Sequence, residues 1–305
     1  MHFGRVSSPE GIHFDPVPSD PRTIGVLGGR PTAHPQLFIG APIWGVPGWV
    51  GEVYPPRTPA KQFLRHYAHR FPTVELNPTF YTIPPAARLE AWRDTVPDGF
   101  RFCPKVPRDA SHARPGKQRD DALTAFSEAL DILGTSAPLP FLQLPAEIAP
   151  MSRAQIRNMI DRLPERHRPA IEFRHHGWFH DQRLDDETFA WMQDTNLAVV
   201  VTDVAGRRDV LHGSLPSRRV VVRFGGNRLH ETDYQRIRSW AETLTNWFEL
   251  GLEEAYFFVH QPEDEFTPRL ISVLEEEIRD RAPELLPPLP HLLPEPSGDG
   301  QLSLL

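Results

Sequence analysis

The chain reads as a closed (β/α)8, TIM-like barrel of the α/β class, on three observations. Eight short apolar runs recur along it. Amphipathic stretches of helical length separate most of them, and the polar residues within the runs largely share one alternation phase. An open doubly wound sheet is the competing arrangement for the same pattern, but eight is the strand number that closes.

The runs are 37–40, 73–77, 101–106, 139–144, 170–174, 197–203, 219–224 and 255–260, rich in Val, Ile, Phe and Tyr as buried strands are. The helix-like stretches are 58–70, 85–96, 120–133, 152–163, 185–194, 232–250 and 266–278. The first starts on Thr58 with Pro59 at the first helical position. The second places Ala86, Leu89, Trp92 and Val96 at helical spacing. Segment 204–217 lacks such a pattern, so the sixth crossover is expected without a helix. The expected organisation is an irregular, Pro- and Gly-rich arm over 1–36, a barrel over 37–281 and a flexible Pro-rich tail over 282–305.

Composition narrows the function classes. The 305 residues are 39% hydrophobic and 24% charged, with a net charge of −7, so no general basic field draws nucleic acid. One cysteine, Cys103, excludes a disulfide framework and a cysteine-rich metal site, and reads as a small apolar core residue in a reducing compartment. The first 35 residues lack a basic-then-apolar signal pattern, and no run approaches the ~20 apolar residues of a membrane span. A cytoplasmic protein without a membrane partner is expected.

Side chains alternate along a strand, so residues two apart share a face. The phase carrying Glu75 and Asn77, then Arg101, Cys103 and Lys105, then Phe141 and Gln143, then Glu172 and Arg174 is polar at its C-terminal end. The same phase is assigned to Val199, Val201 and Asp203, to Val221 and Arg223, and to Phe258 and His260. The opposite phase is apolar and suits a helical shell. Charges therefore converge at the strand C-termini, where barrel enzymes keep their sites. A self-neutralising structural network is the plainer reading of that ring.

As a site, Glu75, Lys105, Glu172 and Asp203 are the candidate catalytic groups. Trp44, Asn77, His112, Gln143, Arg174, Arg223, Gly225 and His260 are the candidate substrate-binding groups. Gly225-Gly226 after the seventh run suits a phosphate cradle, and a plain turn equally. Glu75, Glu172, Asp203 and His260 together could hold a hard divalent metal, although no short-spaced metal motif is present; the cofactor is left open. Trp44, Trp49, Tyr81 and Trp178 could line the mouth, or simply pack in the core, and His175-His176 adds imidazoles at the rim.

These segments resemble a known bacterial family, domain-of-unknown-function family 72. Gly40-Ala-Pro-Ile-Trp44 with Trp49 and Tyr54-Pro55, Val74-Glu-Leu-Asn-Pro-Thr-Phe-Tyr81, and Phe100-Arg-Phe-Cys-Pro-Lys105-Val-Pro with Ser111-His112 are similar to its motifs. Phe141-Leu-Gln-Leu-Pro145, Ile171-Glu-Phe-Arg-His175 with Trp178-Phe179, Thr202-Asp203 and Val222-Arg-Phe-Gly225 continue the order, over about residues 37–280. The resemblance implies a TIM-like barrel and no particular reaction. The turn Ala41-Pro42-Ile43 and the strand end His260-Gln261-Pro262 depart from the family pattern.

The terminal Gln301-Leu302-Ser303-Leu304-Leu305 resembles the peptide by which bacterial replication and repair proteins bind the DNA sliding clamp. A Pro-rich tether would present its leucines to an apolar pocket. A leucine-rich end without a partner is the alternative. The combined expectation is an enzyme on a phosphate-bearing substrate, a hydrolase of phosphate esters such as a DNA or nucleotide phosphodiester, recruited to the clamp. A sugar or sugar-acid isomerase, lyase or glycosidase with paired carboxylates, and a non-catalytic anion-binding adaptor, are the alternatives.

Overall fold

The structure, a computed structural model, describes residues 3–286. The barrel strands are β1 (Gln36–Ala41), β2 (Thr73–Leu76), β3 (Arg101–Pro104), β4 (Phe141–Gln143), β5 (Ala170–Glu172), β6 (Val199–Asp203), β7 (Arg219–Gly225) and β8 (Glu254–His260). They form one parallel sheet in the spatial order β3-β2-β1-β8-β7-β6-β5-β4. A single bridge between Lys105 and Phe141 joins its two ends, with the Val106 N–H donating to the Phe141 carbonyl at 2.9 Å. The (β/α)8 barrel is thus closed most lightly between β3 and β4. On β1, Gly40 is required by sterics, since a Cβ there would lie 2.1 Å from the Thr73 carbonyl oxygen.

Helices α2 (Phe63–Arg70), α3 (Ala86–Thr95), α4 (Lys117–Leu133), α5 (Arg153–Ile160), α6 (Asp186–Asp194), α7 (Glu231–Leu250) and α8 (Thr267–Arg281) fall inside or within three residues of the stretches the sequence predicts, α1 being the helix Pro21–Leu27. After β6 there is only a single 3-10 turn, Arg208–Val210, as the sequence implies.

The arm supplies what that crossover lacks. Expected to be irregular, residues 1–36 contain α1, capped by Asp20 and ended by left-handed Gly28. Thr23 Oγ1 donates to the Gly213 carbonyl at 2.8 Å and accepts from the Leu215 N–H at 2.9 Å. Arg22 reaches Leu184 and Asp186 beside α6, and Leu27 is buried near the end of α7. So α1 lies across the helix-free crossover, between α6 and α7. At the other end, Pro283–Leu285 forms a 3-10 turn that buries Leu285. The clamp-like residues 301–305 lie outside the described residues.

Inside the barrel, Phe38, Cys103, Phe141, Ala170, Ala198, Val200, Val221, Tyr256 and Phe258 pack together. The opposite faces join the larger core against the helices. This partition matches the predicted phase on each of β2 to β8, the strands given one, except β6. There Ala198 and Val200 face inward, whereas Val199 and Val201 belong to the outer core. Asp203 therefore points away from the ring. It accepts from Arg236 Nη2 and Trp240 Nε1 of α7, both at 2.7 Å, and pairs with Arg208. The physical reason is plain: three successive valines occupy β6, so hydrophobicity carries no phase.

Asp203 thus ties β6 to α7 within a nearly buried ion pair. Asp203→Ala should lower the unfolding free energy by about 3 kcal/mol, because Arg236 is left buried without its carboxylate. Urea denaturation measures this, and a change within about 0.5 kcal/mol would overturn the assignment.

Candidate functional site

The inward residues at the C-terminal ends of β2, β5, β7 and β8 form one chain of contacts. Arg223 stands in the middle. Its Nε and Nη2 donate to the two oxygens of Glu75, each at 2.9 Å, and its Nη1 donates to Glu172 Oε2 at 2.7 Å. Arg174 Nε donates to the other Glu172 oxygen at 2.6 Å, and His260 Nε2 lies 3.0 Å from Glu75 Oε2. Both carboxylates are fully buried, and every oxygen on them is engaged.

Ionisation follows from this pairing. Burial works to raise both carboxyl pKa values, but the cations prevail. Arg223 and His260 hold Glu75 well below the carboxylate range, and Arg174 and Arg223 hold Glu172 at about 2. Burial of Arg223 works against its charge and is outweighed by the two carboxylates, so it is held more firmly charged than usual. Burial lowers His260 to about 4 despite the neighbouring Glu75, so it is neutral at pH 7 and its Nε2–H donates. Glu75 and Glu172 are therefore ionised anchors for Arg223.

The arrangement does not fit the predicted metal site. Arg223 occupies the space between Glu75 and Glu172 that a cation would share, and Asp203 faces the other way. Among the described residues no group of three or more His, Cys, Asp or Glu side chains is placed to hold a metal ion.

The phosphate cradle after β7 is likewise corrected. The Gly226 N–H donates to the His260 carbonyl at 2.8 Å, and the Asn227 N–H donates to Asp233 Oδ2 at 2.6 Å. The Arg228 N–H goes to Gln261 Oε1, and the Gly225 carbonyl accepts from Arg236. A protein carboxylate thus already fills the anion position. A Cβ at Gly226 would lie 2.3 Å from the Gln261 amide nitrogen, so a larger residue there would have to displace the Gln261 side chain.

Lys105 differs from its neighbours. It follows β3 and is only 7% exposed. Its Nζ donates to Gln143 Oε1 at 2.9 Å and lies 4.0 Å from the centre of the Phe80 ring. Among the described residues it makes no salt bridge. Glu75 and Glu172 balance Arg223 and Arg174, which leaves Lys105 as the uncompensated cation of the cluster. Burial first, and the positive charge of Arg223 second, lower its pKa to about 8.

The remaining candidates surround this end. His112 is exposed, and its ring meets the Phe80 ring edge-on at 5.5 Å. Ser111 Oγ donates to the Pro107 carbonyl, so the 2.7 Å contact with His112 Nδ1 has the ring N–H donating, which leaves Nε2 basic. Burial, followed by Arg108, Lys105 and Arg174, lowers the His112 pKa. Asn77 is half-buried and donates to the Pro42 carbonyl. Trp44 meets Trp92 edge-on, which fixes it as a wall beside α3. Trp49 and Trp178 are fully buried core residues, so they do not line a mouth, and Tyr81 is exposed.

Sequence reasoning missed three participants. Thr202 takes the inward position on β6 and pairs in register with Arg223; its buried hydroxyl has no hydrogen-bond partner among the described residues. Phe80 covers Lys105. The arm also reaches the site: Phe3 lies 4.3 Å from the Arg174 guanidinium and 4.8 Å from that of Arg207, and the Gly4 carbonyl accepts from the Gly206 N–H. The Val-Val-Val phase ambiguity concealed Thr202, and no local pattern marks Phe3.

Comparison with known proteins places this geometry in a family. The chain is 27% identical to the UPF0759 protein YecE of Escherichia coli strain K12 over 268 residues, covering 82% of this chain and 95% of that protein. It is 26% identical to the UPF0759 protein YunF of Bacillus subtilis strain 168 over 207 residues, 63% of this chain and 70% of the relative. The crystal structure of a DUF72 family protein from Enterococcus faecalis superposes with a TM-score of 0.65 at 18% identity, covering 80% and 96% of the two chains. One from Thermotoga maritima gives 0.62 at 19% identity, covering 80% and 99%. These structures share the fold, and the model of the family described as "Protein of unknown function DUF72" matches residues 38–294. The chain belongs to the DUF72 family.

Proposed function

We propose that this barrel is an enzyme acting on a small phosphate-bearing substrate, a phosphate ester or a nucleotide-sized phosphodiester, at the Lys105 end of the ring. The observation that carries the reading is the uncompensated Lys105 ammonium beside half-buried Arg174, at strand C-termini. A buried extra cation is costly unless an anion joins it. Arg223, Glu75 and Glu172 serve as the rigid support, while Arg174, Lys105 and His112 face the ligand. A glycosidase using paired carboxylates needs one of them protonated, and both are held ionised here, which disfavours that alternative.

Isothermal calorimetry with inorganic phosphate and small phosphomonoesters at pH 7 tests the anion site. Binding in the millimolar range or tighter is expected, weakened about tenfold, or 1.4 kcal/mol, by Arg174→Met. Equal affinity in the variant, or no binding to the parent protein, would overturn the reading. Binding without turnover of any phosphate ester would favour a non-catalytic adaptor.

Recruitment to a DNA sliding clamp through Gln301, Leu302, Ser303, Leu304 and Leu305 is part of the same proposal, supported by the sequence pattern alone. A pull-down with a bacterial sliding clamp should lose the protein when residues 301–305 are deleted; undiminished capture would remove the tail from the account.

A further inference from the structure

The chain contains thirty arginines and only three lysines, Lys61, Lys105 and Lys117. Lys61 and Lys117 are exposed, and Lys117 pairs with Asp121. Lys105 alone is buried, within a cluster whose other two cations are arginines. Arginine suits fixed ion pairing and bidentate recognition and does not give up its proton; an amine can. A protein that places arginine almost everywhere else keeps a lysine where the side chain is desolvated and free of a carboxylate partner. What that position requires is an amine able to become neutral.

We propose that Lys105 is an amine nucleophile that condenses with the aldehyde or ketone of a small phosphorylated substrate. The inference rests on the reading of the Lys105 end of the ring as a phosphate-substrate site and names the reactive group of that substrate. The Nζ lone pair adds to the carbonyl carbon while the carbonyl oxygen takes up a proton, giving a carbinolamine. Loss of that oxygen as water, with the nitrogen giving up its protons, leaves the imine. No oxidant or other co-reactant is consumed. The surroundings suit each requirement. Phe80 covers the amine at 4.0 Å and limits its hydration. Gln143 Oε1 at 2.9 Å accepts from Nζ without holding it in a salt bridge. Arg174 supplies a cation for the phosphate, and a pKa of about 8 leaves roughly a tenth of the amine neutral at pH 7.

Reductive trapping tests this on the full-length protein. Dihydroxyacetone phosphate or glycolaldehyde phosphate is added with sodium cyanoborohydride at pH 7.5, followed by intact-mass measurement and peptide mapping. The expected result is a single reduced adduct on Lys105, formed at least ten times faster than on Lys61 or Lys117, slower with unphosphorylated dihydroxyacetone, and absent from Lys105→Arg. Equal labelling of the three lysines, or no adduct on Lys105, overturns the proposal. Phosphate binding by calorimetry keeps the two readings separate. Binding without a Lys105 adduct removes the imine and leaves the anion site. A Lys105 adduct formed equally fast from phosphorylated and unphosphorylated carbonyls keeps the nucleophile but rejects its phosphorylated substrate.

Discussion

The guanidinium of Arg223 holds two buried carboxylates, Glu75 from β2 and Glu172 from β5, inside the top of the barrel. Each of those charges would cost several kcal/mol if buried alone. Together, with Arg174 and His260 completing the oxygen contacts, they form a closed arrangement that spans the barrel interior. Because β2 and β5 neighbour β3 and β4 in the sheet, tying both to Arg223 also opposes opening of the lightly bridged β3–β4 seam. The rest of the site inherits its charge from this balance. With both carboxylates paired to arginines, Lys105 is, among the described residues, the cation of the cluster with no salt-bridge partner, and burial then makes it easy to neutralise.

The same constraint reassigns chemical roles. Two carboxylates in a barrel mouth suggest acid–base catalysis or metal binding when only residue types are known. Here each oxygen accepts from a cation or from His260 and both carboxyls are held ionised, so the geometry gives them the part of anchors for Arg223. The carboxylates position the arginine, and the proposed chemistry falls to buried Lys105, half-buried Arg174 and exposed His112. The arm contributes on two sides. Its helix α1 lies across the helix-free crossover after β6, and Phe3 stacks on Arg174.

Much of this is legible in the sequence because alternation and length are physical signals. Glu75, Lys105, Gln143, Glu172, Arg223 and His260 meet because polar residues at strand ends share a phase that the apolar helical shell forbids on the other face. Where the signal vanishes, the reading fails. Val199, Val200 and Val201 are equally apolar, so nothing local tells Thr202 from Asp203. Gly225-Gly226 looks like an anion cradle until Asp233, a residue of the following helix, is seen to fill it. The helix α1 had its own signals, with Asp20 as cap, Pro21 at the start and Gly28 at the end, but seven residues are too few to show a period. Contacts such as Phe3 on Arg174 join residues far apart in the chain, and single-sequence patterns do not carry them.

The scarcity of lysine makes the central claim directly measurable. With three lysines, the side-chain amine resonances of a selectively labelled sample can be followed individually by NMR through a pH titration, and Lys105→Arg identifies the one that matters. The balanced Arg223 network predicts that one amine, lost in that variant, titrates near pH 8. If the Lys105 resonance instead titrates at the ordinary 10.5, the amine is either solvated or paired, and the account of Lys105 as a surplus, desolvated cation is contradicted.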